Sequence, residues 1–135
     1  MIDEVLKQIF DLDHPKINEN RREIVGDFVK TTVNGDTIQA YLVMNADLRE
    51  KEEGALVYIL TNKRLIKVTI GKDAESAASL PLNKIIGIEN KQTTSNGKAN
   101  VEVVFQNNVW GLEYSIKNKK ITEFFQKLIT AWGNQ

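Results

Sequence analysis

The sequence predicts a mainly β fold with helices at both ends: seven antiparallel strands, preceded by two short helices and closed by a C-terminal helix. Three observations predict it. Between Thr37 and Ile116 apolar residues recur with a period of two, and Gly, Asn, Asp and Pro interrupt them at short intervals. Before Asn34 and after Ile116 the apolar spacing is that of a helix, with a period near 3.6. A length of 135 residues, 41% of them apolar and 27% charged, suits one compact domain able to bury a core.

In the first segment Ile2, Val5, Leu6 and Ile9 fit one helical face, and Ile24, Val25, Phe28 and Val29 fit another. The stretch from Asp11 to Asn20 separates them, because Pro15 interrupts a helix and Asn18 or Asn20 can cap the next one. Asn34 and Gly35 then have two readings. Asn-Gly is the strongest short hairpin signal, but residues 24 to 29 follow i, i+1, i+4, i+5 spacing and do not alternate, so the pair is read as a helix stop.

The expected strands run from Thr37 to Asn45, Ala55 to Leu60, Arg64 to Ile70, Ala77 to Leu82, Ile85 to Asn90, Ala99 to Gln106 and Val109 to Ile116. In the third, Ile66, Val68 and Ile70 point to the core while Leu65, Lys67 and Thr69 form a mostly wet face. In the last pair, Val101, Val103 and Phe105 share one face, and Trp110, Leu112, Tyr114 and Ile116 share another, with a turn at Asn107 and Asn108. After Ile116, the residues Ile121, Phe124, Phe125, Leu128, Ile129 and Trp132 make a continuous stripe on a terminal helix. The segment Asp47 to Glu53 is a charged, exposed loop, and Thr93 to Lys98 is another turn.

Several function classes lose support on composition and motifs. Lys plus Arg number 18 and Asp plus Glu number 18, so the chain lacks the positive field of a general nucleic-acid binder. With no cysteine, thiolate metal sites, disulfides and a cysteine nucleophile are excluded, and a reducing cytoplasm fits. Asp3 and Glu4 near the start do not suit a signal peptide, and no run of about 18 apolar residues predicts a membrane span. No glycine-rich phosphate loop occurs. His14 is the only histidine and no serine lies in a nucleophile elbow, so no triad can be assembled. Asp11, Asp13 and His14 have the chemistry of metal ligands, but a linker carrying a helix cap explains them better. The neighbouring acids Glu52 with Glu53 and Asp47 with Glu50 are read as solvated. The spacing of Trp110, Tyr114, Phe124, Phe125 and Trp132 points to core, not to a stacking platform for bases.

The stretch Gly54-Ala55-Leu56-Val57-Tyr58-Ile59-Leu60-Thr61-Asn62-Lys63-Arg64-Leu65-Ile66 resembles the bacterial pleckstrin-homology (PH)-like domains, and more distantly GRAM domains. Both share an apolar strand, a Thr-Asn/Asp-x-Arg turn and a second apolar strand. Ser79-Leu80-Pro81-Leu82-Asn83-Lys84-Ile85 also looks like the family's next segment, a short strand turning through a polar corner. The resemblance covers about residues 36 to 132. It implies a PH-like barrel: two near-orthogonal sheets capped at one open end by the C-terminal helix. The domain would span residues 34–135, with residues 1–33 as a helical extension outside the family pattern. That extension is expected to be an accessory whose apolar faces pack on its own barrel or on a neighbouring subunit.

The function expected of such a chain is that of a non-enzymatic PH-like binding module acting in protein–protein interaction or self-association, with a protein partner or a homo-oligomer and no cofactor. The alternative is a peripheral domain that binds anionic lipid. Its candidate anion-binding residues are Lys63 and Arg64 in the basic hairpin and Lys117, Lys119 and Lys120, with Lys127, at the last helix. Arg64 also has a structural reading, since its planar fork can bond loop carbonyls. Lysines at a helix start are mildly unfavourable to the helix dipole.

Overall fold

The computed structural model describes residues 1–48 and 52–135, and the chain forms two compact units, Met1–Leu80 and Pro81–Gln135. Among the described residues are seven antiparallel strands in two sheets, two N-terminal helices and a C-terminal helix, the mainly β architecture expected of a PH-like chain.

The first unit opens with α1 (Ile2–Asp11) and α2 (Glu19–Val33). Of the two cap candidates it is Asn18 that serves, its side chain accepting from the Arg21 N–H at 2.9 Å. At the other end Asn34 adopts the left-handed conformation with φ 51° and donates its N–H to the Lys30 carbonyl, and Gly35 follows with φ 77°. The Asn-Gly pair is thus a helix stop, as the spacing indicated.

Strands β1 (Ile38–Asp47), β2 (Glu53–Thr61), β3 (Arg64–Ile70) and β4 (Glu75–Pro81) form a sheet in that order. The β1–β2 ladder continues out to Asp47 opposite Glu53, further than the expected strand ends. Of the charged loop expected there, Arg49, Glu50 and Lys51 lie outside the described residues.

Register decides what each face of this sheet carries. Tyr41, Ile59 and Ile66 form one cross-strand row, and Val43, Val57 and Val68 the next. Against them pack Val5, Leu6 and Ile9 of α1 and Val25, Val29 and Val33 of α2, in one cluster that also holds Ala55 and Ile70. The N-terminal helices therefore cover one face of the β1, β2 and β3 part of this sheet. Each fully buried Val or Ile there contributes about 1.5 to 3 kcal/mol relative to exposure. Ile24, expected on the apolar face of α2, is 61% exposed. The face expected to be wet is also buried over part of its length, since Leu42, Tyr58, Leu60 and Leu65 are all buried while Lys67 and Thr69 are half-exposed.

The second unit begins with a 3-10 turn at Leu82–Lys84. Pro81 lacks an N–H and stands immediately before it, so the strand stops one residue earlier than expected and Leu82 is buried in the turn. Strands β5 (Ile85–Thr93), β6 (Lys98–Phe105) and β7 (Asn108–Ser115) make a three-stranded sheet. Phe105 pairs with Asn108, so the hairpin turn is at Gln106 and Asn107, one residue before the expected pair. Helix α3 (Lys119–Gly133) buries Ile121, Phe124, Phe125 and Leu128. Phe125 stacks on Tyr114 at 6.3 Å and meets Phe124 edge-on at 5.2 Å, while the Trp132 indole donates to the Ile85 carbonyl at 3.1 Å. Ile129, placed in the stripe by spacing, is 42% exposed.

Candidate functional site

The Thr61-Asn62-Lys63-Arg64 turn joins β2 to β3, and the side chains of Thr61, Asn62 and Arg64 bond back to the chain. Thr61 is fully buried, and its Oγ1 accepts from the backbone N–H groups of Lys63 at 3.1 Å and Arg64 at 2.9 Å. The same hydroxyl donates to Asp36 Oδ2 at 3.1 Å. Asn62 bonds Thr37 twice, through its backbone N–H and through Oδ1.

Arg64 completes this arrangement. Its Nε donates to Asp36 Oδ2 at 2.8 Å and its Nη1 to Ser79 Oγ at 2.8 Å. Its Nη2 reaches the Thr32 and Val33 carbonyls at 3.0 and 2.7 Å, two of the acceptors that the end of α2 leaves open. The hydrogen bond from Arg64 holds the Asp36 carboxyl below the usual carboxylate range; the Thr61 hydroxyl and the charges of Arg64 and Lys63 reinforce this, and partial burial opposes it. An anion approaching Arg64 would have to displace Asp36. Lys63 is exposed on the turn beside it.

A second guanidinium does the same at the start of α2. Arg21 donates to the Lys72 and Gly71 carbonyls at 2.7 and 2.6 Å and lies 3.6 Å from the Glu75 carboxylate. The β3–β4 connection is thereby tied to the helix. Nothing in the spacing signalled this, because Arg21 and Gly71 are 50 residues apart.

In the second unit, Lys117, Lys119 and Lys120 are all exposed around the first turn of α3. Asn118 caps that turn, its Oδ1 accepting from the Ile121 N–H at 3.2 Å. The aromatic residues are otherwise engaged: Trp110, Tyr114, Phe124 and Phe125 are buried and Trp132 is half-buried.

Two of the depressions formed by described residues lie on the first unit. The larger, about 490 Å³, is lined by Leu48, Glu52, Lys67, Thr69, Glu75 and Ser76 together with Gly71 and Ala74. The Thr69 and Ser76 hydroxyls bond each other across β3 and β4. Only one of the two hydrogens is used in that bond, so the pair can still donate one. Burial lowers the Lys67 ammonium from its ordinary pKa. The two carboxylates at its edge are engaged, Glu52 with the Lys72 N–H at 2.5 Å and Glu75 with Arg21. Sequence reasoning missed this place, although Lys67 and Thr69 were visible as the polar positions of an alternating strand.

The smaller depression, about 300 Å³, has Asp13, His14, Asn45, Ala46, Asp47 and Glu53 around it. His14 Nε2 is 3.3 Å from a Glu53 carboxylate oxygen with both side chains exposed, and Asn45 donates to the His14 carbonyl. Among the described residues no three acids or histidines are grouped so as to hold a metal ion.

No protein-family model and no curated protein matches the chain. Among solved structures, the C-terminal domain of an unknown protein from Leishmania infantum aligns with a TM-score of 0.57 at 15% identity, covering 82% of this chain and 96% of that one. A DUF1696 family protein with a pleckstrin-homology domain from Shewanella loihica aligns at 18% identity over 78% of this chain and 91% of that one, with a TM-score of 0.48, too low to add to the argument. The first likeness is one of fold alone. The chain is accordingly described by its architecture, two antiparallel sheets and a C-terminal helix.

Proposed function

We propose that the chain is a non-enzymatic PH-like module that binds another protein. The observation that carries this reading is the engagement of Arg64. Of the two hairpin cations, Arg64 is already held by Asp36, Ser79 and two backbone carbonyls, which leaves a phosphate only the exposed Lys63. The larger depression is edged by Glu52 and Glu75, which disfavours an anionic headgroup there and suits a peptide side chain. Large apolar side chains stand out in solvent elsewhere, Ile86 at 63% and Val109 at 51% exposure, as a contact surface requires. Selection from a displayed peptide library against the full chain, followed by titration of the enriched peptide, tests the proposal. Saturable binding of a consensus sequence is expected, and failure to enrich any sequence above an empty-surface control would contradict it.

A second reading, contact with anionic lipid, draws its support from the three exposed lysines at the start of α3. No helix among the described residues is long and apolar enough to cross a membrane. Cytoplasmic residence and self-association remain part of the proposal.

A further inference from the structure

We propose that the outward face of the β5–β6–β7 sheet docks a basic, aliphatic segment of a partner protein. This deepens the protein-binding reading and rests on it. The inward face of the sheet carries Val101, Val103, Phe105 and Trp110, all buried. Directly paired residues share a face, so the opposite side is fixed by register. Gly87, Val104 and Val109 form one outward row, and Glu89, Glu102 and Gly111 the next. A register shift between Ile85 and Gly87 leaves Ile86 as the extra residue at the end of the apolar row, and it is 63% exposed.

The Glu89–Glu102 pair is the second observation. Like charges directly opposite one another across a ladder destabilise a sheet. No ion pair within 4.0 Å is formed by either carboxylate among the described residues. Lys91 lies diagonal to Glu102 in the adjoining row, which also contains Glu113, and Lys98 lies one row further out. Next to the apolar row the potential is therefore set by two unneutralised acids. A partner with aliphatic side chains for Ile86, Val104 and Val109 and a lysine or arginine over Glu89 and Glu102 removes the apolar exposure and the repulsion together. Gly87 leaves open space on this face, since a Cβ there would meet nothing within 4 Å.

That glycine also supplies the test. The full-length chain, labelled with nitrogen-15, is titrated with a short synthetic peptide of alternating lysine and valine, with a glutamate–valine peptide as control. Shifts are expected at residues 86–89, 102–104 and 109–111 with the lysine peptide alone. Glu89→Lys and Gly87→Leu should each weaken binding at least about tenfold, and unchanged remote resonances would show that both variants are folded. Binding that neither variant weakens overturns the proposal, and so does the absence of any shift with the lysine peptide. Shifts confined to the Lys67 depression overturn this surface but leave the protein-binding reading standing. If sedimentation shows that the free chain self-associates and Gly87→Leu abolishes it, the occupant is a second copy and the basic partner is wrong. If neither peptide binds while phosphatidylserine vesicles broaden Lys117, Lys119 and Lys120, both readings fall.

Discussion

Replacing Arg64 by alanine removes four hydrogen bonds from a charged donor and leaves Asp36 with Thr61 as its side-chain partner. Breaking a well-buried ion pair costs about 3 to 5 kcal/mol. Here the two side chains keep 24% and 10% of their exposure, so water replaces part of what is lost. About 2 to 4 kcal/mol is the expected loss, equivalent to a fall in Tm of roughly 10 °C for a chain of this size. Arg64→Lys should recover less than half, because an ammonium lacks the planar fork that reaches Asp36 and the helix carbonyls together. The pH dependence has a definite sign. The Asp36 pKa is depressed by folding, so its contribution is present above the unfolded value of about 3.9 and is lost as pH falls through the folded value. Urea unfolding of both proteins near neutral pH and again near pH 3 should therefore show a large gap that narrows in acid. A loss below about 1 kcal/mol near neutrality, or a gap that acid leaves unchanged, would refute the assignment of Arg64 as a structural clamp.

Phe125→Ala should cost about 3 to 5 kcal/mol, since the ring is 3% exposed between Tyr114 and Phe124; a loss under 1 kcal/mol in chemical denaturation would remove it from the core. Burial pushes the Tyr58 phenol up to about 12. Because folding raises this pKa, the stabilisation is complete below the unfolded value of about 10 and fades above it, so the Tyr58 phenol, identified by the signal that Tyr58→Phe removes, should ionise late, together with alkaline unfolding, in an ultraviolet titration. Ionisation of Tyr58 near 10 with the fold intact would contradict that. A chain beginning at Asn34 tests the boundary between residues 33 and 34. It would bare Val57, Ile59, Ile66, Val68 and Ile70, all fully buried, at a cost comparable to the whole stability of about 5 to 15 kcal/mol of a domain. Loss of cooperative unfolding and of solubility is expected, and a shortened chain that unfolds cooperatively would show the helices to be an accessory.

Much of the fold was legible because two periods decide it. Alternation at Val101, Val103 and Phe105 and helical spacing at Phe124, Phe125 and Leu128 place these residues on buried faces, where they are found. The local chemistry of Asn34 and Gly35 likewise ends α2 where the spacing did. Spacing is one-dimensional, however, and could not show that α1 and α2 occupy a face of the β1–β4 sheet, since that packing joins Val5 and Val25 to Ile66 and Val68. It also over-assigned Ile24 and Ile129, which sit at the margins of their stripes and face solvent. The hairpin motif announced Arg64, but which acceptors its fork reaches depends on α2 ending beside β3. The Lys67 depression was hidden for a similar reason: its lining comes from two strands and two connections, and no short motif carries it.

Flotation of the full chain with vesicles containing phosphatidylserine, over a range of salt, separates a protein-binding module from a lipid-binding one most directly. Attraction of exposed lysines to a charged surface is screened within roughly 10 Å at 0.1 M salt, so lipid binding through Lys117, Lys119 and Lys120 would be strong at low salt and lost at high salt. With Arg64 engaged by Asp36, the chain should stay with the soluble fraction at every salt concentration and behave as it does with neutral vesicles. Co-flotation at low salt that is abolished by exchanging the three lysines for glutamate would contradict the protein-binding reading.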